Sequence, residues 1–258
     1  MKSNPVKTKL GKGDAVFGTL VFEFASTGLA RIASAAGAEF AIFDMEHTGW
    51  GIDTIRMLLA SCGGADLVPM VRVPATEYHF IARALDMGAR GLMVPMVETA
   101  EQARRIVEFT KYPPAGRRGA AFGMAADDFS SVDAAAAIQS ANAQTLLIAQ
   151  IETALGLENV DAIAAVEGID VLWIGQNDLT NFLGIPGTTH HPKYLDAVRQ
   201  VIDSVRRHGK AAGFMAMDVP QGQMLLHQGF RMLAYGGDIW IYQRALREAL
   251  MALRSEKL

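Results

Sequence analysis

Hydrophobic and polar positions follow two alternating patterns along this chain. Short apolar runs with hardly a charge recur, and between them lie longer segments in which apolar residues return every three or four positions. The short runs predict strands buried on both faces, as in a parallel sheet, and the longer segments predict amphipathic helices. The eight predicted strands cover residues 15–21, 40–45, 67–73, 91–97, 146–152, 171–175, 211–217 and 231–237.

Several of the predicted helices carry recognisable end signals. Thr76-Glu77 and Thr99 are cap-like residues that begin two helices, and Pro192 begins a third that ends at Gly209. Residues 111–142 break the alternation, because they are rich in Pro, Gly and small residues and contain one Ala-rich helical stretch. A connection of this length is usually functional or disordered.

The alternation predicts an α/β fold, namely a (β/α)₈ TIM barrel that spans residues 1–258 as one domain. A doubly wound open sheet is the alternative, because alternation alone does not show that the sheet closes. Residues 241–258 predict a strongly periodic helix at the C-terminus. Its apolar face must pack on the barrel or on another subunit.

Composition narrows the class of protein. Half of the residues are apolar and 20% are charged, which is typical of a soluble globular protein with a sizeable core. The net charge of -3 gives no basic footprint for nucleic acid. No segment reads as a membrane span or a signal peptide, so a cytoplasmic location is expected. The single cysteine, Cys62, excludes an intramolecular disulfide and is predicted to be a small apolar residue that closes a helix.

Two of the apolar runs end in a carboxylate, Glu152 in one and Asp178 in the other. In α/β barrels the carboxyl ends of the strands form the active site, so these two acids could meet there. Two carboxylates without a neighbouring Cys or His suit a hard cation such as Mg²⁺ or Mn²⁺. An acid/base pair for glycoside hydrolysis is the alternative, but the chain offers only three Trp as platforms for a sugar.

A histidine and an arginine also lie at predicted strand ends. His47 follows Asp44 and Glu46, where an imidazole could act as a general base or could cap the next helix. Arg72 lies in an apolar run and must meet an anion or a carbonyl oxygen, either on a substrate or on Asp44 or Glu46. The other histidines are interpreted as surface or capping residues: His79, His190, His191, His208 and His227.

A set of motifs, in order along nearly the whole chain, resembles the HpcH/HpaI aldolases: FDMEHTGW, MVRVP, LDMGARGLMVPMVETAEQA, YPPAGRRG, AQIETALGLENVDAIAAVEGID and IGQNDLT. Members of this family are metal-dependent (class II) aldolases that act on 2-oxo acids such as 4-hydroxy-2-oxoheptanedioate and 2-dehydro-3-deoxyglucarate. The resemblance implies reversible cleavage of a 4-hydroxy-2-oxo acid to pyruvate and an aldehyde, with Mg²⁺, Mn²⁺ or Co²⁺ as cofactor. It also implies a homo-hexamer, a trimer of dimers, in which a terminal helix is exchanged between subunits.

The resemblance implies a role for each site residue as well. Glu152 and Asp178 correspond to the metal-binding acids, and His47 corresponds to the base. Asp86 corresponds to the acid that works with the histidine, and Arg72 to the arginine that stabilises the enolate. The implied substrate-binding positions are Asp44, Gln150, Gly175 and Asn177.

The chain departs from the family pattern at two places. Gln176 stands where many members carry Pro, and Asp127 and Asp128 lie in a loop where many members carry an arginine between small residues. These two acids would disfavour a second carboxylate or phosphate on the aldehyde. Two other functions stay open: a citrate-lyase-like enzyme that acts on an acyl-CoA, and a non-catalytic protein that binds a metal or a 2-oxo acid.

Overall fold

The structure, a computed structural model, describes residues 3–255 and contains a closed barrel of eight parallel strands. The strands are β1 (Val16–Val21), β2 (Phe40–Asp44), β3 (Val68–Arg72), β4 (Gly91–Val94), β5 (Leu146–Ile151), β6 (Val171–Ile174), β7 (Ala211–Ala216) and β8 (Met232–Gly237). They pair in chain order, and β8 closes the barrel against β1. The barrel prediction is therefore confirmed, and the open-sheet alternative is wrong.

Helices surround the barrel within the described residues. They are α1 (Pro5–Gly11), α2 (Leu29–Ala35), α3 (Ile52–Ser61), α4 (Tyr78–Asp86), α5 (Ala100–Thr110), α6 (Ala134–Gln144), α7 (Ala154–Glu158), α8 (Val160–Ala164), α9 (Gln176–Phe182), α10 (Pro192–Arg207), α11 (Val219–Gln228) and α12 (Asp238–Ser255). The Ala-rich stretch predicted between residues 111 and 142 corresponds to α6, which a short 3₁₀ turn precedes at Ala125–Asp127. No helix of residues 3–255 is long and apolar enough to cross a membrane.

One predicted strand end and one predicted cap are wrong for identifiable reasons. Strand β4 ends at Val94 and not at residue 97, because Met96 takes a left-handed backbone (φ 53°) and leaves the strand. Helix α4 begins directly after Glu77, as predicted, but Thr76 does not cap it; the hydroxyl of Thr76 accepts a hydrogen bond from Gln102 of α5 at 2.9 Å. Thr99, in contrast, caps α5 as predicted, since its side chain accepts from the N–H of Gln102.

The core consists of one layer inside the barrel and one between the strands and the helices. Side chains such as Phe40, Met70 and Trp173 fill the interior, so the barrel has no open channel. Helix α1 covers the amino end of the barrel, where Val6 is buried and Lys7 pairs with Asp170 at 2.9 Å. The carboxyl end is therefore the end at which strand-terminal side chains can meet a ligand.

One part of the barrel wall lacks the helix that would normally cover it. Helix α12 leaves the barrel after its first two turns, and every described residue beyond Arg244 is exposed. An apolar groove of about 560 Å³ remains between α2 and α12, beside β1 and β8. Within one chain, the apolar face of α12 therefore does not pack on the barrel, which was one of its two predicted partners.

Candidate active site

A cavity of about 120 Å³ lies at the carboxyl end of the barrel. Seven of the nine site residues expected from the sequence line it: His47, Arg72, Gln150, Glu152, Gly175, Asn177 and Asp178. The loop after β2 supplies the histidine, β3 supplies the arginine, and the carboxyl ends of β5 and β6 supply the rest. Because parallel strands all end at the same rim, residues far apart in sequence come together here. Gln176 also lines the cavity.

Glu152 is buried and held from two sides. Only 1% of the residue is exposed; its Oε1 accepts the N–H of Met96 at 2.8 Å, and its Oε2 accepts the side-chain amide of Gln150. Burial raises the pKa of the Glu152 carboxyl, these two hydrogen bonds lower it, and Asp178 raises it further. The left-handed residue Met96 therefore helps to build the site, because its backbone N–H donates the hydrogen bond that holds the Glu152 carboxylate.

The residues around Glu152 fit a divalent cation that is held in part by the protein. Within residues 3–255, no cluster of three or more His, Cys, Asp or Glu residues could form a complete metal site. Glu152 and Asp178 offer two carboxylates, which suit a hard cation whose other ligands are waters or substrate oxygens. The raised pKa of Glu152 indicates a buried charge without sufficient counter-charge, and a cation would supply it.

Arg72 is fixed by two carboxylates. Its Nε donates to Oδ1 of Asp44 at 2.5 Å, and its Nη1 lies 3.1 Å from Oε2 of Glu46. Asp44 is fully buried and also accepts the backbone N–H groups of Glu46 and His47 at 3.1 and 2.9 Å. The ion pair considered for Arg72 is therefore present. Since Arg72 also lines the cavity, the pair and a ligand contact are compatible.

Glu46 is a carboxylate to which the sequence assigned no role of its own. Its Oε2 lies 3.6 Å from Nε2 of His47, whose side chain is 56% exposed. Burial raises the pKa of Glu46 to about 7; Arg72 lowers it, and the carboxylates of Glu152, Asp44 and Asp178 raise it. Its position between Asp44 and His47 in the motif FDMEHTGW was the available signal.

Asp86 does not line the cavity within one chain. It lies at the end of α4, which runs antiparallel to the strands and therefore carries it toward the amino end of the barrel. Its carboxylate pairs with Nη2 of Arg118 at 2.5 Å, and the buried guanidinium of Arg118 lies 4.6 Å from the centre of the Tyr112 ring. The partnership of Asp86 with His47 stays a prediction from the resemblance.

The acidic loop is also remote from the cavity within one chain. Asp127 lines a small space beside Arg118, and Asp128 lines a different cavity beside Arg90. Neither lines the site cavity. The expected repulsion of a second negative group on the aldehyde therefore has no support in the single chain.

The cysteine and the remaining histidines take the structural roles predicted for them. Burial raises the pKa of the Cys62 thiol to about 12, so Cys62 is a packed apolar residue and not a nucleophile. Nδ1 of His191 accepts the N–H of Lys193 at the start of α10, and His208 lies beside Asp161 at the other end of that helix. The other three are exposed: His79, His190 and His227.

Two aromatic residues of the cavity were not found from the sequence. Phe22 and Trp240 line it and contact each other edge to face, with ring centroids 5.1 Å apart. Trp240 lies in the first turn of α12, whose amphipathic pattern does not show which side chains reach the site. Phe22 directly follows β1, and from the sequence it is indistinguishable from one more apolar residue of that strand.

Comparison with known proteins identifies the family. The family model described as HpcH/HpaI aldolase/citrate lyase matches residues 20–245. A hydroxypyruvate/pyruvate aldolase of Paraburkholderia phytofirmans is 36% identical over 98% of this chain and 98% of that protein. A 2-keto-3-deoxy-L-rhamnonate aldolase of Salmonella paratyphi A is 37% identical over 98% of this chain and 94% of its own.

The fold agrees with the sequence relationship. The crystal structure of an HpcH/HpaI aldolase from Desulfitobacterium hafniense superposes with a TM-score of 0.92 at 32% identity, and the match covers 97% of each chain. The named relatives are aldolases, which are carbon–carbon lyases, and the resemblance found in the motifs is confirmed. The chain belongs to the HpcH/HpaI aldolase/citrate lyase family.

Proposed function

We propose that this protein is a divalent-metal-dependent aldolase that reversibly cleaves a 4-hydroxy-2-oxo acid to pyruvate and an aldehyde. The observation that carries the proposal is the meeting of four side chains in one cavity: Glu152, Asp178, Arg72 and His47. Enolate chemistry on a 2-oxo acid requires acids that hold a metal ion, a positively charged group that stabilises the enolate oxygen, and a base. The two acids, the arginine and the histidine are groups of these three kinds. A glycosidase would not need the arginine or the histidine.

Glu152 and Asp178 would hold the cation, which we expect to be Mg²⁺, Mn²⁺ or Co²⁺. When bound, the cation acts as a Lewis acid on the carbonyl of the 2-oxo acid. Gln150 then has a positioning role, because its amide donates to Glu152 and fixes the orientation of that carboxylate. The backbone between Gly175 and Asp178 would bind the substrate carboxylate, since the first N–H groups of α9 have no acceptor within the helix.

Arg72 would stabilise the enolate oxygen as negative charge develops on it. Asp44 and Glu46 hold the guanidinium in place before any substrate binds, so no reorganisation is needed during the reaction. Arginine suits this position because it stays charged even when buried. Asp44 thus contributes by orienting Arg72 and the backbone at His47.

His47 would move the proton of the substrate hydroxyl. In cleavage the imidazole accepts this proton and delivers it, through water, to C3 of the enolate, which gives pyruvate. In condensation it removes a proton from C3 of pyruvate and gives a proton to the new hydroxyl group. Glu46 is the carboxylate beside it within the chain, at 3.6 Å. Asp86 remains its proposed partner on the strength of the resemblance.

We also propose that α12 docks on a second copy of this chain, within the homo-hexamer that the resemblance implies. The helix exposes Leu246, Leu250 and Leu253, while the groove beside its root is lined by apolar residues such as Phe17 and Ile32. An exposed apolar helix face and an apolar groove of the same chain fit a reciprocal exchange between two copies.

Condensation of pyruvate with a panel of aldehydes, in the presence of Mg²⁺, Mn²⁺ or Co²⁺, tests the proposed function. We expect 4-hydroxy-2-oxo acid products that form only when a cation is added. Product formation that persists in EDTA would contradict the metal dependence. Pyruvate binding without any condensation would favour the non-catalytic alternative, and binding of an acyl-CoA would favour the lyase alternative, which the named relatives do not support.

A further inference from the structure

We infer that Phe22 and Trp240 form the wall of the cavity that receives the aldehyde, and that the aldehyde accepted there carries an apolar substituent. The inference rests on the proposed aldolase function and adds the class of acceptor to it. Neither residue belongs to the set of site residues that the motifs suggested.

The cavity has a polar and an apolar side. Its polar side carries the two acids, the arginine and the histidine, which can bind a metal ion and the carboxylate and carbonyl oxygens of a 2-oxo acid. Its apolar side is made by Leu20, Phe22, Trp173, Phe214, Met215 and Trp240. Because the 2-oxo acid must occupy the polar side, the aldehyde must approach along the apolar lining.

Phe22 and Trp240 are packed as one unit close to the reacting centre. Their rings meet at an interplanar angle of 70°, and the backbone of Gly237 lies against both, so that a Cβ there would come within 2.7 Å of Phe22 and 2.9 Å of Trp240. The guanidinium carbon of Arg72 lies 5.7 Å from the centre of the Phe22 ring. The wall therefore adjoins the residue that would stabilise the enolate.

Asp238, the first residue of α12, holds this wall in place. Its buried carboxylate accepts the backbone N–H groups of Phe22, Glu23 and Phe24 at 2.9, 2.9 and 2.7 Å. These bonds tie the loop after β1 to the start of α12, and so they fix the backbone positions from which the two rings extend. Trp240 nevertheless keeps 38% of its surface exposed, which leaves part of the residue available for contact.

The aromatic wall favours an apolar substituent over a hydroxylated one. A methyl group placed against the two rings leaves water and gains contacts, whereas a hydroxyl at the same place loses its water without gaining a partner on the rings.

Propanal and glycolaldehyde test this inference, because they have the same number of heavy atoms and differ by a methyl against a hydroxyl group. We compare kcat/KM for their condensation with pyruvate and Mn²⁺ in the wild type, Trp240→Ala and Trp240→Leu. The ratio of propanal to glycolaldehyde should fall by about tenfold in Trp240→Ala. It should be largely kept in Trp240→Leu, which retains an apolar wall, and in Gln243→Ala, which alters an exposed polar position of the same helix outside the cavity.

Deuterium exchange at C3 of pyruvate separates this inference from the proposed function, since exchange needs no aldehyde. In Trp240→Ala, exchange should fall by a smaller factor than condensation with propanal does. The inference would be overturned, and the proposed function left standing, if the ratio of kcat/KM for propanal to that for glycolaldehyde were unchanged in Trp240→Ala. The same holds if exchange falls by the same factor as condensation. Absence of exchange in the wild type with Mn²⁺ would contradict the proposed function and the inference together.

Discussion

The Glu152 carboxylate lies directly against the backbone of Gly175, with no space between them for a side chain. A Cβ at position 175 would lie 2.8 Å from Cβ of Glu152 and would overlap its Oε2. The same Cβ would come within 2.9 Å of the amide nitrogen of Gln150, the group that donates to Glu152. The orientation of one proposed metal ligand on β5 therefore depends on a glycine at the end of β6.

Gly175→Ala should displace Glu152 and weaken cation binding while the barrel still folds. We expect the affinity for Mn²⁺, measured by calorimetry, to fall by about tenfold to a hundredfold, as for other changes that disturb a metal ligand. Gly51→Ala is the matched control, because a Cβ at Gly51 meets no atom within 4 Å. Equal Mn²⁺ affinity in the two variants would show that Glu152 does not need the space at Gly175.

Glu152→Gln should remove the cation response without destabilising the apo protein at pH 8. The raised pKa of Glu152 means that its ionised form is disfavoured by burial. A neutral amide of the same shape should be tolerated when Gln150 turns its side-chain amide, because the Oε1 of Gln150 has no hydrogen-bond partner among the described residues and can accept from the new NH₂ group. In the wild type, binding of Mn²⁺ should raise Tm, since a ligand that binds only the folded state stabilises it. In Glu152→Gln and in Asp178→Asn this rise, and with it the metal-dependent activity, should be lost. A rise of Tm equal to that of the wild type would exclude these residues as ligands.

Asp44→Asn should cost stability because it leaves Arg72 buried without its strongest partner. Removal of one partner of a buried ion pair typically lowers the free energy of unfolding by about 3–5 kcal/mol, although Glu46 should reduce the loss here. Asp203→Asn serves as the surface control; its pair with Arg206 is exposed and should contribute less than about 1 kcal/mol. Urea unfolding measures both. If Asp44→Asn lowers the free energy of unfolding as little as Asp203→Asn does, the ion pair between Asp44 and Arg72 does not anchor Arg72.

The strands and the strand-end residues could be predicted because each depends on local sequence. The run 146–151 has no charge and predicts a buried strand, and Glu152, which follows it, is then expected at the carboxyl rim. Asp86 was harder to place. Its motif suggested a role with His47, but only the direction of α4 shows that it points away from the cavity of its own chain.

The supporting contacts could not be predicted, since they join segments that are distant in sequence. Nothing in the sequence marks Met96 as left-handed or shows that its N–H reaches Glu152. Trp240 reads as part of an amphipathic helix, and its place in the cavity follows only from the bonds that Asp238 makes to the loop after β1. Such contacts belong to the closed barrel and not to any one element.

The pKa of Glu46 predicts a specific pH dependence of stability. Its pKa is raised from 4.5 to about 7 in the folded protein, so the folded state binds this proton more tightly than the unfolded state does. The resulting stabilisation is full below pH 4.5 and is lost as the pH rises to about 7. Relative to the wild type, Glu46→Gln should therefore become more stable across this window, by at most a few kcal/mol.

Unfolding of the wild type and Glu46→Gln in urea, from pH 5 to pH 8 in EDTA, measures this difference. A cation between Glu152 and Asp178 should reduce the effect, because these carboxylates raise the pKa of Glu46. If the difference in free energy of unfolding between the wild type and Glu46→Gln stays constant over the whole pH range in EDTA, Glu46 is not the titrating group.

Leu246→Glu should weaken the assembly by placing a charge on the exposed apolar face of α12. Leu246 is exposed within one chain, so the substitution should leave the barrel folded. Light scattering should show a species smaller than that of the wild type, whereas Gln243→Glu, at an exposed polar position of the same helix, should keep the wild-type mass. A wild-type mass for Leu246→Glu would argue against docking of this face on a second copy.

Exchange of the C3 protons of pyruvate in D₂O isolates the proposed enolate chemistry, because it requires the cation, the enolate-stabilising arginine and a working base, but no aldehyde. We expect the wild-type protein to catalyse the exchange with Mg²⁺, Mn²⁺ or Co²⁺ and to stop when EDTA is added. Exchange should be lost in Glu152→Gln and Asp178→Asn even with the cation present. Exchange that continues at the same rate in EDTA, or none at all with pyruvate and cation bound, would contradict the assignment of this cavity as the active site of a metal-dependent aldolase.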